Sequence, residues 1–219
     1  ASNYPPVFHL LMIPLFPIFG PTLLAGRVLS FTITLLTAGL IGWTVQRRTG
    51  GIFLPAMAAL AYPASNFVYH VGPLCRQQLT MVFFETLAVF FIAGVYDETP
   101  LGPASRRAPH RASILAKPRP LLLGLGCLLL AGYTKQLAVF TAAAIFGYLF
   151  LRRPLRAIAL AAVFGAVFGL IFLGINWATD GQWWLNTIAA NVNAYEIPRL
   201  IGLARNWFKI HPVWILLAV

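Results

Sequence analysis

Two cations set in otherwise apolar surroundings are the residues best suited to chemistry in this chain. Arg76 sits in the connection Gly72-Pro73-Leu74-Cys75-Arg76-Gln77-Gln78, and Lys135 closes the tetrapeptide Gly132-Tyr133-Thr134-Lys135. A charge at the edge of a bilayer is costly to place and well suited to an anionic ligand. The guanidinium fork and the ammonium point charge both match phosphate oxygens. Tyr133 beside Lys135, Gln78 beside Arg76, and Asn193 in the later Asn191-Val192-Asn193 run add an aromatic face and amides of the kind that hold a sugar. These five are the candidate substrate-binding residues: Arg76, Lys135, Tyr133, Gln78 and Asn193.

Other chemistries find little to stand on. His9, His70, His110 and His211 are scattered with no i, i+4 pair, so no metal site is expected. There is no phosphate-binding glycine loop and no nucleophile elbow, and no cofactor is expected. Cys75 and Cys127 lie at the end of one apolar run and inside another, which suits small packed residues rather than a disulfide. Glu85 falls well inside an apolar run, where a carboxylate needs a partner or a proton. Lys135, Arg27 and Arg76 are the cations available to it. Arg27 itself can snorkel to the surface or point inward.

The elements that must position these groups follow from composition. The chain is 59% hydrophobic and 10% charged, with a mean hydropathy of +0.79. No globule of 219 residues could hide that much apolar surface from water, so an all-α, polytopic transmembrane helical bundle is expected. A β-barrel would alternate apolar and polar residues, and the continuous runs here do not. The net charge of +11 is carried by residues flanking apolar runs, where membrane topology accounts for them without nucleic acid.

The pattern predicts a kinked or interfacial segment up to residue 19, because Pro14 and Pro17 oppose a straight helix. Spans follow at 23–45, 52–71 and 79–96, the second interrupted by Pro63, and then a basic, proline-rich loop over 97–120. Residues 121–151 pose a length problem: one straight helix would measure about 46 Å against a hydrocarbon core of about 30 Å. Tilt alone would have to reach about 50°, beyond the usual range. A broken hairpin turning at Tyr133 to Lys135 is expected instead. A further span is predicted at 156–177. The stretch 182–211, with Trp183, Trp184 and Trp207, reads as interfacial.

Arg47 and Arg48 after the first span, and five cations in 97–120, place those loops inside. The hairpin is a tie by counting, since Arg152, Arg153 and Arg156 balance Arg199, Arg205 and Lys209. The denser trio, directly between apolar runs, is read as cytoplasmic. Arg76, Lys135 and Asp180 then converge on the outer face.

Several motifs in order carry a resemblance. Tyr4-Pro5-Pro6 leading to Phe19-Gly20, Gly26-Arg27-Val28-Leu29-Ser30, Arg76 before a span, Ala131-Gly132-Tyr133-Thr134-Lys135, and Gly181-Gln182-Trp183-Trp184 with Asn191-Val192-Asn193 together resemble the GT-C superfamily of polyprenyl-phosphate-sugar glycosyltransferases. Within it the chain looks like the bacterial relatives of dolichyl-phosphate-mannose protein mannosyltransferases. The resemblance implies inverting transfer of a sugar from a lipid-linked donor to an acceptor outside the plasma membrane of a bacterium. It gives Arg76 and Lys135 the leaving phosphate, and assigns an acidic base to a first external loop. That family often carries Arg-x-Asp where this chain reads Arg76-Gln77-Gln78, so no acidic role falls on Gln78. Residues 1–219 are expected to form one transmembrane domain, a fragment truncated at both ends. The base would lie upstream of Ala1, and the fragment by itself should be inactive. A transporter or flippase of lipid-linked or small solutes is the alternative, since helices broken by polar turns also serve that purpose.

Overall fold

The computed structural model describes residues 5–96, 118–191 and 196–210. Among them all regular structure is helical. The N-terminal segment is broken as its prolines require: α1 (Val7–Met12), a 3-10 turn over Ile13–Leu15 and α2 (Phe16–Phe19). Gly20 at φ 68° then redirects the chain into α3 (Leu23–Thr49). Among the described residues three helices are long and apolar enough to cross a membrane: Leu23–Thr49, Gln77–Gly94 and Pro154–Ala178.

α3 buries a stripe of small and hydroxyl residues at helical spacing, including Gly26, Ser30, Thr34, Thr37 and Gly42. Small side chains let neighbouring backbones approach where no water is available to drive association. The hydroxyls stay satisfied by bonding one turn back: Thr34 Oγ1 donates to the Ser30 carbonyl and Thr37 Oγ1 to that of Ile33, each at 2.8 Å. Against this stripe pack α4 (Phe53–Ala64) and α6 (Gln77–Tyr96). The backbone carbonyl of Pro55 would lie 3.0 Å from a Cβ at Gly42. The expected 52–71 span is two helices, because the backbone becomes extended at Ser65 before α5 (Asn66–Val71). Pro63, inside α4, withholds a backbone donor just before that break.

α7 (Pro118–Gly132) runs along α6. Its first turn holds Pro118 and Pro120, where a missing N–H costs nothing, so the helix begins within what the sequence suggests is loop. Most of that basic loop, 97–117, lies outside the described residues.

The run 121–151 breaks where expected. α7 stops at Gly132, Tyr133 and Thr134 form a turn, and Lys135 is extended at φ −159°. A 3-10 turn (Gln136–Ala138) leads into α8 (Val139–Arg152). The two arms double back. Leu121 and Leu128 from α7 share one buried cluster with Ile145 and Leu149 from α8, Ala88 and Ile92 from α6, and Ala157 from α9 (Pro154–Ala178). A straight continuation would hold Leu121 and Leu149 about 42 Å apart.

The hairpin also settles the partner of Glu85. None of the three cations supplies it; Thr141, in the first turns of α8, donates its hydroxyl to Glu85 Oε1 at 2.7 Å. The returning arm lies at the depth of Glu85, whereas Arg76 immediately precedes α6, nine positions earlier.

α9 is apolar around its whole circumference and buries only Ala157. Side chains such as Val163, Leu170 and Leu173 face outward. After it, Asp180 (φ 50°) and Gly181 (φ 78°) adopt left-handed backbone and reverse the chain into α10 (Gln182–Thr187) and a 3-10 turn (Ala189–Asn191). The last described helix is α11 (Ile197–Ile210).

Candidate functional site

The hairpin turn is fixed from three sides. Backbone bonds from Tyr133 N to the Leu129 carbonyl and from Lys135 N to that of Ala131 close the end of α7. The Tyr133 ring is buried and stacks on Phe168 of α9 at 4.6 Å, while its hydroxyl donates to the Phe168 carbonyl at 2.6 Å. Gly132 permits this: a Cβ there would come within 2.7 Å of Phe168 Cε2. From the N-terminal side, Val7 N donates to the Tyr133 carbonyl at 3.1 Å. From the C-terminal side, Gln136 Nε2 donates to the Thr187 carbonyl at 2.8 Å, tying α10 to the turn.

Arg76 is placed by its backbone. The Ser30 hydroxyl of α3 accepts from Arg76 N at 3.2 Å and donates to the Arg76 carbonyl at 3.3 Å. The guanidinium is left exposed at the start of α6. Next to it, Cys75 packs onto Gly26, with Cys75 Cβ 3.0 Å and Met12 Sδ 3.1 Å from where a Gly26 Cβ would stand.

The electrostatics bring three cations into one neighbourhood. Burial pushes the Cys75 thiol above its ordinary value, while Arg27 and Arg76 pull it back down. Burial, and then the charge of Arg76, draw Lys135 below its ordinary 10.5. Arg27, which the sequence leaves free to point either way, is exposed beside Cys75. Gln78 is half-buried, its Oε1 enclosed without a hydrogen-bond donor among the described residues; the same holds for Thr80 Oγ1 one turn below Arg76. Such enclosed acceptors are groups that water or a ligand would satisfy.

Of the five sequence candidates, Arg76 and Gln78 lie together at the start of α6, Tyr133 and Lys135 lie together in the hairpin turn, the charge of Arg76 reaches Lys135, and Asn193 lies outside the described residues. Tyr133 is committed to Phe168 with both its ring and its hydroxyl, so it braces the turn rather than offering an open stacking face. Residues the sequence reading passed over do much of the positioning: Ser30 for Arg76, and Gln136 with Thr187 for the turn. Ser30 was visible in Gly26-Arg27-Val28-Leu29-Ser30, but its partner was not. Asp180 and Glu196, the carboxylates near this end, are both exposed. No group of three or more metal-ligating side chains occurs among the described residues.

The turn is recessed. Phe168, its contact on α9, lies about 21 Å along that helix from Pro154, and a further 15 Å, roughly, of α9 continues past it. The reason is length: the arms have 15 and 14 residues against 25 in α9. Lys135 therefore sits below the end of α9, not level with it.

Such a lysine gives anion binding a defined pH limit. Its charge is complete below the lowered pKa and is lost as pH rises through it. Phosphate affinity should therefore weaken at lower pH than for an ordinary lysine. The empty protein should respond in the opposite sense. Between the lowered folded value and the ordinary unfolded one, the unfolded chain binds more protons, so stability rises with pH there. Lys135→Arg should move the alkaline limit of anion binding upward, read as the pH dependence of affinity for inorganic phosphate. An unchanged alkaline limit would remove Lys135 from the anion site.

Comparison with known proteins adds no relative: no family model, curated protein or solved structure matches the chain.

Proposed function

We propose that this chain is the membrane domain of a glycosyltransferase that moves a sugar from a polyprenyl-phosphate donor to an acceptor on the extracytoplasmic face. In this reading α3, α6 and α9 cross the plasma membrane of a bacterium in a multi-pass bundle, with α4/α5 and the α7/α8 hairpin completing it. The observation that carries the proposal is the hairpin turn that holds a partly buried Lys135 within the field of Arg76. Two like charges, one of them partly desolvated, raise the energy of an empty site, and an anion between them relieves both terms.

A lipid-linked phosphate suits that position better than a soluble one. The ammonium is recessed below the end of α9, beside apolar helices that could accommodate a prenyl chain. Charge builds on the departing phosphate as the glycosidic bond breaks, so cations fixed in advance stabilise the transition state more than the ground state. Arg76 and Lys135 fill that role; Gln78 and Asn193 are amides available to the sugar. The reading leaves the base and the acceptor unassigned.

The test is reconstitution of the full-length protein in proteoliposomes with a polyprenyl-phosphate sugar, following both product and flux. Sugar transfer without net movement of donor across the bilayer is the expected result. Flux of lipid-linked or small solute without transfer would overturn the enzyme reading in favour of a transporter built on the same broken hairpin.

A further inference from the structure

We infer that α11 and α5 form a binding site for an anionic phospholipid of the outer leaflet, separate from the Arg76 and Lys135 region. Residues 196–209 are exposed throughout. Viewed down its axis, α11 divides in two. Arg199, Arg205, Asn206 and Lys209 share one arc of about 120°, and Leu200, Leu203, Trp207 and Phe208 lie on the opposite half. No Asp or Glu occurs within α11, so every charge on its polar arc is positive.

Among the described residues, part of the apolar half stays open rather than closing against the rest of the protein. Leu200, Leu203 and Trp207 face Phe67 of α5 across a groove of about 580 Å³, with Asn66 and Asn206 among its few polar groups. That volume is typical of a site for one small amphiphile. Leu203 is 62% exposed and Leu200 50% exposed, more than a helix packed on protein would leave. A basic, acid-free arc over an apolar groove matches a negative headgroup above an acyl chain. Charge placement supports this occupant: three cations on the outer side oppose the usual cytoplasmic bias of basic residues, and attraction to anionic headgroups offsets that bias.

The inference requires the chain to sit in a bilayer but does not depend on sugar transfer. Amide hydrogen exchange of α11 would be measured in full-length protein in vesicles of phosphatidylcholine alone and of phosphatidylcholine mixed with phosphatidylglycerol. Protection of 197–210 should rise with phosphatidylglycerol and fall with added salt, while α3 is unchanged. The triple variant R199Q/R205Q/K209Q, altered only on exposed positions, should lose the lipid dependence, a fall on the order of a hundredfold at about fivefold per cation. Three outcomes would overturn the site. One is equal protection in both vesicles. Another is protection that tracks protein density, which indicates a second copy. The third is protection that appears only when polyprenyl phosphate is added, which assigns the groove to the donor's tail.

Discussion

Lys135→Ala and Arg76→Ala, each made in the full-length protein, should cut sugar transfer by about 10²- to 10³-fold while insertion and thermal unfolding stay near the parent. Removing one preorganised donor from a developing charge has that scale of effect, because the group is fixed in advance where water would have to reorganise to replace it. Stability should hold for a reason specific to this site. Lys135 is half-buried and repelled by Arg76, so neutralising either residue removes that repulsion from the empty protein. The double variant should fall well short of the product of the two single losses, since the proposed reading gives both cations the same leaving group. Transfer that survives both substitutions would take the phosphate away from these residues. A Km effect with kcat intact would reduce their role to ground-state binding.

Gly26→Ala should be the most damaging single methyl near the site. Cys75 Sγ would overlap the new carbon; it can rotate away, but Cys75 Cβ at 3.0 Å and Met12 Sδ at 3.1 Å remain. Relief requires the loop before α6 to move, and Ser30 holds that loop by both the N–H and the carbonyl of Arg76. Overpacking of this kind costs about 1–3 kcal/mol. Here it should also displace Arg76, so transfer should fall along with thermal stability. Cys75→Gly removes the opposing carbon, and the pair G26A/C75G should recover most of both losses relative to G26A. A double variant no better than G26A would show that the contact does not position Arg76.

Much of the helical layout could be read before the fold was known, because membrane thickness is a ruler. The run 121–151 was too long for one crossing, and the polar tetrapeptide in its middle was the place to turn. The proline-broken N-terminal segment and the apolar stretches around α3, α6 and α9 were equally legible, since periodicity and hydropathy are local properties. Glu85 was legible only as a problem. Sequence offered three cations as partners, yet the answer was Thr141, a hydroxyl brought to the right depth by the returning arm. Tyr133 looked like a platform for a sugar, and Phe168, 35 positions away, claimed both its ring and its hydroxyl.

By itself, then, the sequence determined that this is a helical chain with segments apolar enough for lipid, where its central run must break, and which cations lie near the break. These follow from the cost of exposing apolar surface to water and of burying unpaired charge, and both can be counted along the chain. Tertiary structure decided how deep the turn sits and what holds Arg76. It also decided that Lys135 feels Arg76 rather than Glu85. Those outcomes depend on register between helices, set by where Gly26, Gly124 and Gly132 allow close approach, and no count of residues along one strand of chain contains that register.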